Sequence, residues 1–169
     1  DYKDDDYAKG KELSQKVIDA HNYVTETKSE IYDKIDEVTY DAEYIILSDH
    51  PLRDPIFTMK DEMVNFQNLY GYFLGYNDKE YTAEQVDSAY QAVFADVEKN
   101  KALYADILEE HGEKGNYDDF YEDCDDALAS YRFSLRTYVK QGRQIPSNEV
   151  RTFTSNYNSL VGSYNSFND

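Results

Sequence analysis

The chain has 169 residues, enough for one domain that buries about 70% of the surface its unfolded form would expose. Its 35 acidic and 17 basic side chains give a net charge of −18, which opposes binding to nucleic acid and to anionic lipid. No apolar run approaches the ~20 residues that a membrane-spanning helix needs. We therefore expect the chain as given to be soluble.

The first predicted helix is the longest, and it ends at His50 and Pro51 because proline cannot continue a helix. About 38 residues span about 57 Å at the rise of an α-helix, so we expect its extra length to pack on residues upstream of this sequence or on another chain. One face carries ten side chains at steps of three and four, with an additional step of four before Ile35. We call them the first-helix stripe: Leu13, Val17, Ala20, Val24, Thr27, Ile31, Ile35, Val38, Ala42 and Ile45.

The second predicted helix begins near Asp54 and Pro55, a capping carboxylate followed by a residue suited to the first helical position. Gly71 and Gly75 weaken its end, and residues 76–81 are predicted to form a loop. Its predicted core-facing residues are spaced by three and four: Ile56, Met59, Met63, Phe66, Tyr70 and Phe73.

The third predicted helix begins with a capping box made by Thr82 and Gln85. Its core face keeps strict steps of four and three as far as Ile107. Asn100 places a polar group on this otherwise apolar face, where it is expected to fix the register. The residues on this face are Val86, Tyr90, Val93, Val97, Asn100, Tyr104 and Ile107.

Two further helices are predicted after the turns at Gly112 and Gly142. The fourth has an aromatic core face, and Cys124 lies on it as a small side chain that we expect to be buried. The fifth begins at Ser147. The two faces are Tyr117, Tyr121, Cys124, Leu128, Tyr131, Leu135 and Tyr138, and then Val150, Phe153, Tyr157, Leu160, Tyr164 and Phe167.

These patterns predict an all-α fold, an up-and-down bundle of about five helices with a long first helix. We expect a single domain over residues 1–169, as part of a longer precursor. With 18 Tyr, 8 Phe and no Trp, aromatic rings must supply much of the core.

Six carboxylates crowd the start of the fourth helix, and such close like charges can recruit a cation. The candidate metal ligands among them are Asp119, Glu122, Asp123 and Asp126. The alternative is a solvated acidic face that the helix dipole favours. The pattern lacks the calcium-binding loop of an EF-hand, so any divalent cation is expected to bind weakly.

The same helix ends in positive charge, with Arg132, Arg136, Lys140 and Arg143. The helix dipole explains this placement, and a basic strip that meets an acidic partner or an anionic ligand is the alternative. His21, His50 and His111 are scattered, and none completes the Glu-x-x-His pair of bundle metalloenzymes. We expect no enzyme activity and no cofactor.

The opening segment, Asp1 to Leu13, and the closing one, Asn156 to Phe167 with its repeated Tyr-Asn pairs, resemble the YiiG-like family of bacterial lipoproteins, a family of unknown function. An acidic purification tag would explain Asp1 to Asp6 only. The resemblance implies a lipid-modified cysteine in the precursor and an extracytoplasmic helical domain of the cell envelope. It transfers no catalytic residue.

Two functions from different classes are consistent with these observations. The first is a non-enzymatic interaction or scaffold module that binds a protein partner in the cell envelope. The second is a module that binds a small ligand or a divalent cation through the acidic cluster of the fourth helix.

Overall fold

A computed structural model describes residues 2–77 and 81–168, and every regular element in those ranges is helical. This confirms the all-α prediction with its long first helix. The elements are α1 (Tyr2–Ile46), α2 (Arg53–Asn77), α3 (Ala83–Asn100), α4 (Ala105–His111), α5 (Lys114–Ser134) and α6 (Ser147–Asn168), and a π-helical turn over Leu135–Val139 continues α5. We call this turn the π-segment. The loop predicted over 76–81 is helical to Asn77, and positions 78–80 lie outside the described residues.

The chain divides into two compact units, Asp1–Asp49 and His50–Asp169, which are described separately. The expectation of one domain over residues 1–169 stays a prediction. The first unit is α1, a helix of 45 residues that ends four positions before the predicted stop at His50. Exposed pairs along it, such as Lys16 with Glu12 at 2.6 Å, stabilise a helix by only about 0.2–0.5 kcal/mol each.

The second unit is a four-helix bundle. Each of its long helices packs against two others: α2 against α3 and α6, and α5 against α3 and α6. The predicted capping box is present at the start of α3, where the Thr82 hydroxyl accepts the Gln85 N–H and the Gln85 side chain accepts the Thr82 N–H. Gly112 and Gly142 both adopt positive φ, as expected for residues that end helices.

The centre of the bundle is an aromatic cluster from three helices. Tyr131 of α5 stacks on Phe153 of α6 with ring centroids 4.6 Å apart, and Phe73 of α2 lies 5.1 Å from Tyr131 and 5.2 Å from Phe153. Phe73 and Phe153 are fully buried, and Tyr131 is nearly so. Aromatic rings therefore supply much of the core of the bundle, as the composition predicted.

The predicted core face of α2 was wrong at two positions. Glu62 and Leu69 are buried, whereas Met63 and Tyr70 are only half-buried. The true face follows the same steps of three and four, but it includes a carboxylate at a position where an apolar residue is expected. A prediction based on hydrophobicity alone therefore placed Met63, the neighbour of Glu62, on the core face.

The predicted third helix is two helices, because residues 101–104 form a turn between α3 and α4. Asn100 is the last residue of α3, and it marks the end of the helix instead of an interruption within it. Its carbonyl oxygen accepts a hydrogen bond of 2.9 Å from the Tyr117 hydroxyl of α5. That bond satisfies one of the carbonyls that a helix end leaves without an internal partner.

The π-segment changes which side chain faces the core at the end of α5. A π-turn holds one more residue than an α-turn, so the position that follows Leu135 on the core face is Val139. Val139 is fully buried, and Tyr138, the predicted residue, is half-buried with the Arg143 guanidinium 5.6 Å from its ring.

Replacement of Phe153 by Ala tests the aromatic cluster. We expect the free energy of unfolding of Phe153→Ala to fall by about 3–5 kcal/mol, because a fully buried ring is removed and its neighbours cannot close the cavity. Urea denaturation followed by helicity measures the change. The control is Phe133→Ala, which removes a ring that is 57% exposed and should cost far less. Equal losses in the two variants would contradict this account of the core.

Candidate functional site

A buried polar group lies between α2 and α3. The Glu62 carboxylate accepts a hydrogen bond of 2.8 Å from the Asn100 side-chain amide, and Asn65 lies at the 3.5 Å limit of a second one. Only 1% of Glu62 is exposed. Burial raises its pKa, since a charged carboxylate loses water there, while the hydrogen bonds from Asn100 and Asn65 oppose that shift.

The side chains close to the Glu62 carboxylate are part of the packed core. Cys124 is fully buried, and burial raises the pKa of its thiol, so the nucleophilic thiolate is disfavoured. Burial also raises the pKa of Tyr117 and of Tyr121. These groups are held in their neutral forms inside the bundle, which suits packing better than acid–base work.

An aromatic and basic groove runs between α3 and α5 on the surface of the bundle. Its volume is about 520 Å³. The lining includes Tyr90 and Phe94 from α3, Arg132 and Phe133 from α5, Arg136 from the π-segment, and one carboxylate, Asp125 of α5. Phe94 is 40% exposed and Phe133 is 57% exposed. Sequence reasoning missed this groove, although both phenylalanines lie off the predicted core faces, which was the available signal.

The four predicted basic residues are not equivalent. Arg132 and Arg136 line the groove, and within the described ranges neither guanidinium lies in an ion pair. Lys140 makes an ion pair of 3.2 Å with Asp87, and Arg143 lies over the Tyr138 ring. Guanidinium groups bind carboxylates in a two-pronged geometry, so the groove can accept an acidic side chain or a small carboxylate beside an apolar body.

The four predicted metal ligands lie along one side of α5 without converging. Asp119, Glu122 and Asp126 are exposed. Asp123 is half-buried, and its carboxylate accepts a hydrogen bond of 2.5 Å from the Ser163 hydroxyl of α6. Among the residues that the structure describes, no three His, Cys, Asp or Glu side chains are placed to hold a metal ion together.

The first-helix stripe is the most extensive apolar feature that is exposed. Its larger members include Val17 at 69% exposed, Val24 at 62% and Val38 at 68%, and Ile31 and Ile35 are each more than half exposed. Isolated surface apolar residues are ordinary, but a continuous row of them marks an interaction surface. A helix also gains most of its stability in water when such a face is packed.

Comparison with known proteins gives no match: no family model, curated protein or solved structure is similar to this chain. The resemblance to YiiG-like lipoproteins stays a prediction. None of the helices in the described ranges combines the length and the apolar character that crossing a bilayer requires.

Glu62 predicts a specific pH dependence. Its pKa is raised by folding, so the folded protein holds this proton more tightly than the unfolded chain. The resulting stability is present below the unfolded pKa and is lost as the pH rises through the folded pKa. We therefore expect the stability of Glu62→Gln relative to the wild type to rise as the pH is raised from 5.5 to 8, because the folded wild type must then hold a charged carboxylate in a buried position.

Urea denaturation of both proteins at the two pH values measures this difference. Glu122→Gln is the control, because the same chemical change is made on an exposed side chain of α5. A stability difference between wild type and Glu62→Gln that does not change with pH would refute the assignment of a raised pKa.

The acidic cluster predicts a weak response to divalent cations. We expect millimolar calcium, magnesium or zinc to leave the melting temperature of chelator-treated protein unchanged, because the four carboxylates do not converge. Thermal melts followed by helicity test this. A saturable rise that disappears when Asp119, Glu122, Asp123 and Asp126 are replaced by Asn or Gln would instead establish the cation-binding module.

Proposed function

We propose that this protein is a non-enzymatic interaction module, and that its working surface is the first-helix stripe. The observation that carries the proposal is the exposure of this row of β-branched and aliphatic side chains on α1. The occupant that fits such a surface is another amphipathic helix, whose apolar residues interlock with the stripe.

The pattern of the stripe supports a helical occupant. Apolar residues that alternate at steps of three and four over more than four heptads form the contact face of a coiled coil. The flanks of the stripe are charged, with Lys16 and Lys28 on the first half and Asp41 on the second. Such flanking charges select the partner and its orientation in coiled coils.

The bundle has a separate part in this proposal. It carries its own aromatic core, so it can fold as a stable body attached to α1 in sequence. Its groove with Arg132 and Arg136 offers a second surface for an acidic segment of a partner. We place the module in the cell envelope, lipid-anchored in its precursor, on the resemblance to YiiG-like lipoproteins alone.

Site-specific photo-crosslinking tests the proposal. A benzophenone amino acid placed at Val24 should give covalent adducts in extracts of the source cells, because this position lies on the stripe. The matched control is Asn22, which is exposed on the other side of the same turn. Adducts that contain either another protein or a second copy support an interaction module. No adduct at Val24, or equal adducts at both positions, would rule the stripe out as the working surface.

A further inference from the structure

We infer that the helix that covers the stripe is α1 of a second copy of this chain, paired in the antiparallel direction. This inference rests on the proposed function, since it names the occupant of the same surface. Two independent features of α1 favour the antiparallel pair: the sizes of the side chains and the distribution of charge.

Side-chain size is the first feature. A parallel pair in register places identical residues opposite each other, so Ala20 would face Ala20 and Ala42 would face Ala42, which leaves two thin layers. An antiparallel pair centred between Thr27 and Ile31 places Ala20 opposite Val38 and Ala42 opposite Val17. Large residues opposite small ones fill a core without voids.

The outer layers follow the same arrangement. Leu13 falls opposite Ile45 and Val24 falls opposite Ile35, so these layers are apolar on both sides, and Ile31 meets Thr27 at the centre. Every layer of the stripe is then matched by a layer of the second copy, over about 50 Å of helix at 1.5 Å per residue. Isologous pairing of this kind is the commonest symmetry of soluble oligomers.

Charge is the second feature. Residues 12–28 carry two Lys and three acidic side chains, a net charge of −1, whereas residues 30–46 carry one Lys and six acidic side chains, a net charge of −5. A parallel pair would align the two strongly acidic halves. The antiparallel pair places each of them beside a nearly neutral half, and it brings Lys16 next to Asp41 of the second copy, which lowers the repulsion.

Cysteine pairing measures the orientation directly. Val24→Cys and Ile35→Cys are made as separate full-length variants, and Cys124 is kept because it is fully buried. Opposed cysteines in one layer lie within disulfide range. Mild oxidation of the mixed variants should give a mixed disulfide dimer. Its yield should be at least fivefold greater than that of the dimer that either variant forms with itself. Asn22→Cys mixed with Ile35→Cys is the matched control and should stay monomeric.

Each other result overturns the inference. Dimers of each variant with itself would show a parallel pair. Absence of dimers, with a wild type that sediments as a monomer at high salt, where the repulsion is screened, would show that no second copy binds. In that case, photo-crosslinks from Val24 to a different protein would still support the proposed function, whereas absence of those crosslinks would refute it as well. A retained helical spectrum shows that the cysteine variants are folded.

Discussion

The stacking of Tyr131 on Phe153, with Phe73 against both, is the contact on which the bundle depends. It joins α2, α5 and α6 at one point, and the rings are almost fully buried. A chain with 35 acidic side chains and no tryptophan has few other ways to bury enough apolar surface. The remaining contacts of the bundle are arranged around this cluster, and Phe66 extends it along α2.

A buried tyrosine costs free energy that a phenylalanine would not, because its hydroxyl needs a hydrogen-bond partner. The Tyr131 hydroxyl is buried and has no hydrogen-bond partner among the described residues. A buried polar group without a partner costs about 1–3 kcal/mol. By contrast, the Tyr117 hydroxyl reaches the carbonyl oxygen of Asn100, so one tyrosine of the core also closes the end of a neighbouring helix.

The sequence predicted the parts of the fold that depend on local chemistry. The capping box at Thr82, the turn glycines Gly112 and Gly142, and the core face of α5 up to Leu135 all follow from a few neighbouring residues. The prediction from sequence failed where a residue on another helix decides which side chain is buried. Glu62 can be buried only because Asn100 of another helix binds it, and no pattern within α2 contains that information.

The same distinction applies to the candidate site. The spacing of the stripe was predicted in full, because it is a property of one helix. Its exposure was not predicted, since the first helix was expected to pack in the bundle along all but its extra length. The groove was not predicted either, since Phe94 and Phe133 become neighbours only when α3 packs on α5. The π-segment was also missed: a turn with one additional residue leaves the hydrophobic spacing ambiguous between Tyr138 and Val139.

The exposure of the α1 side chains has a consequence for how the unpaired chain opens. Residues whose side chains are mostly in water open at little free-energy cost, whereas those of a closed core open only with the whole unit. A protease added to the unpaired chain under native conditions would therefore cut first within Tyr2–Ile46, and would leave a resistant fragment that begins close to His50. The boundary of that fragment would mark where cooperative folding of this chain begins.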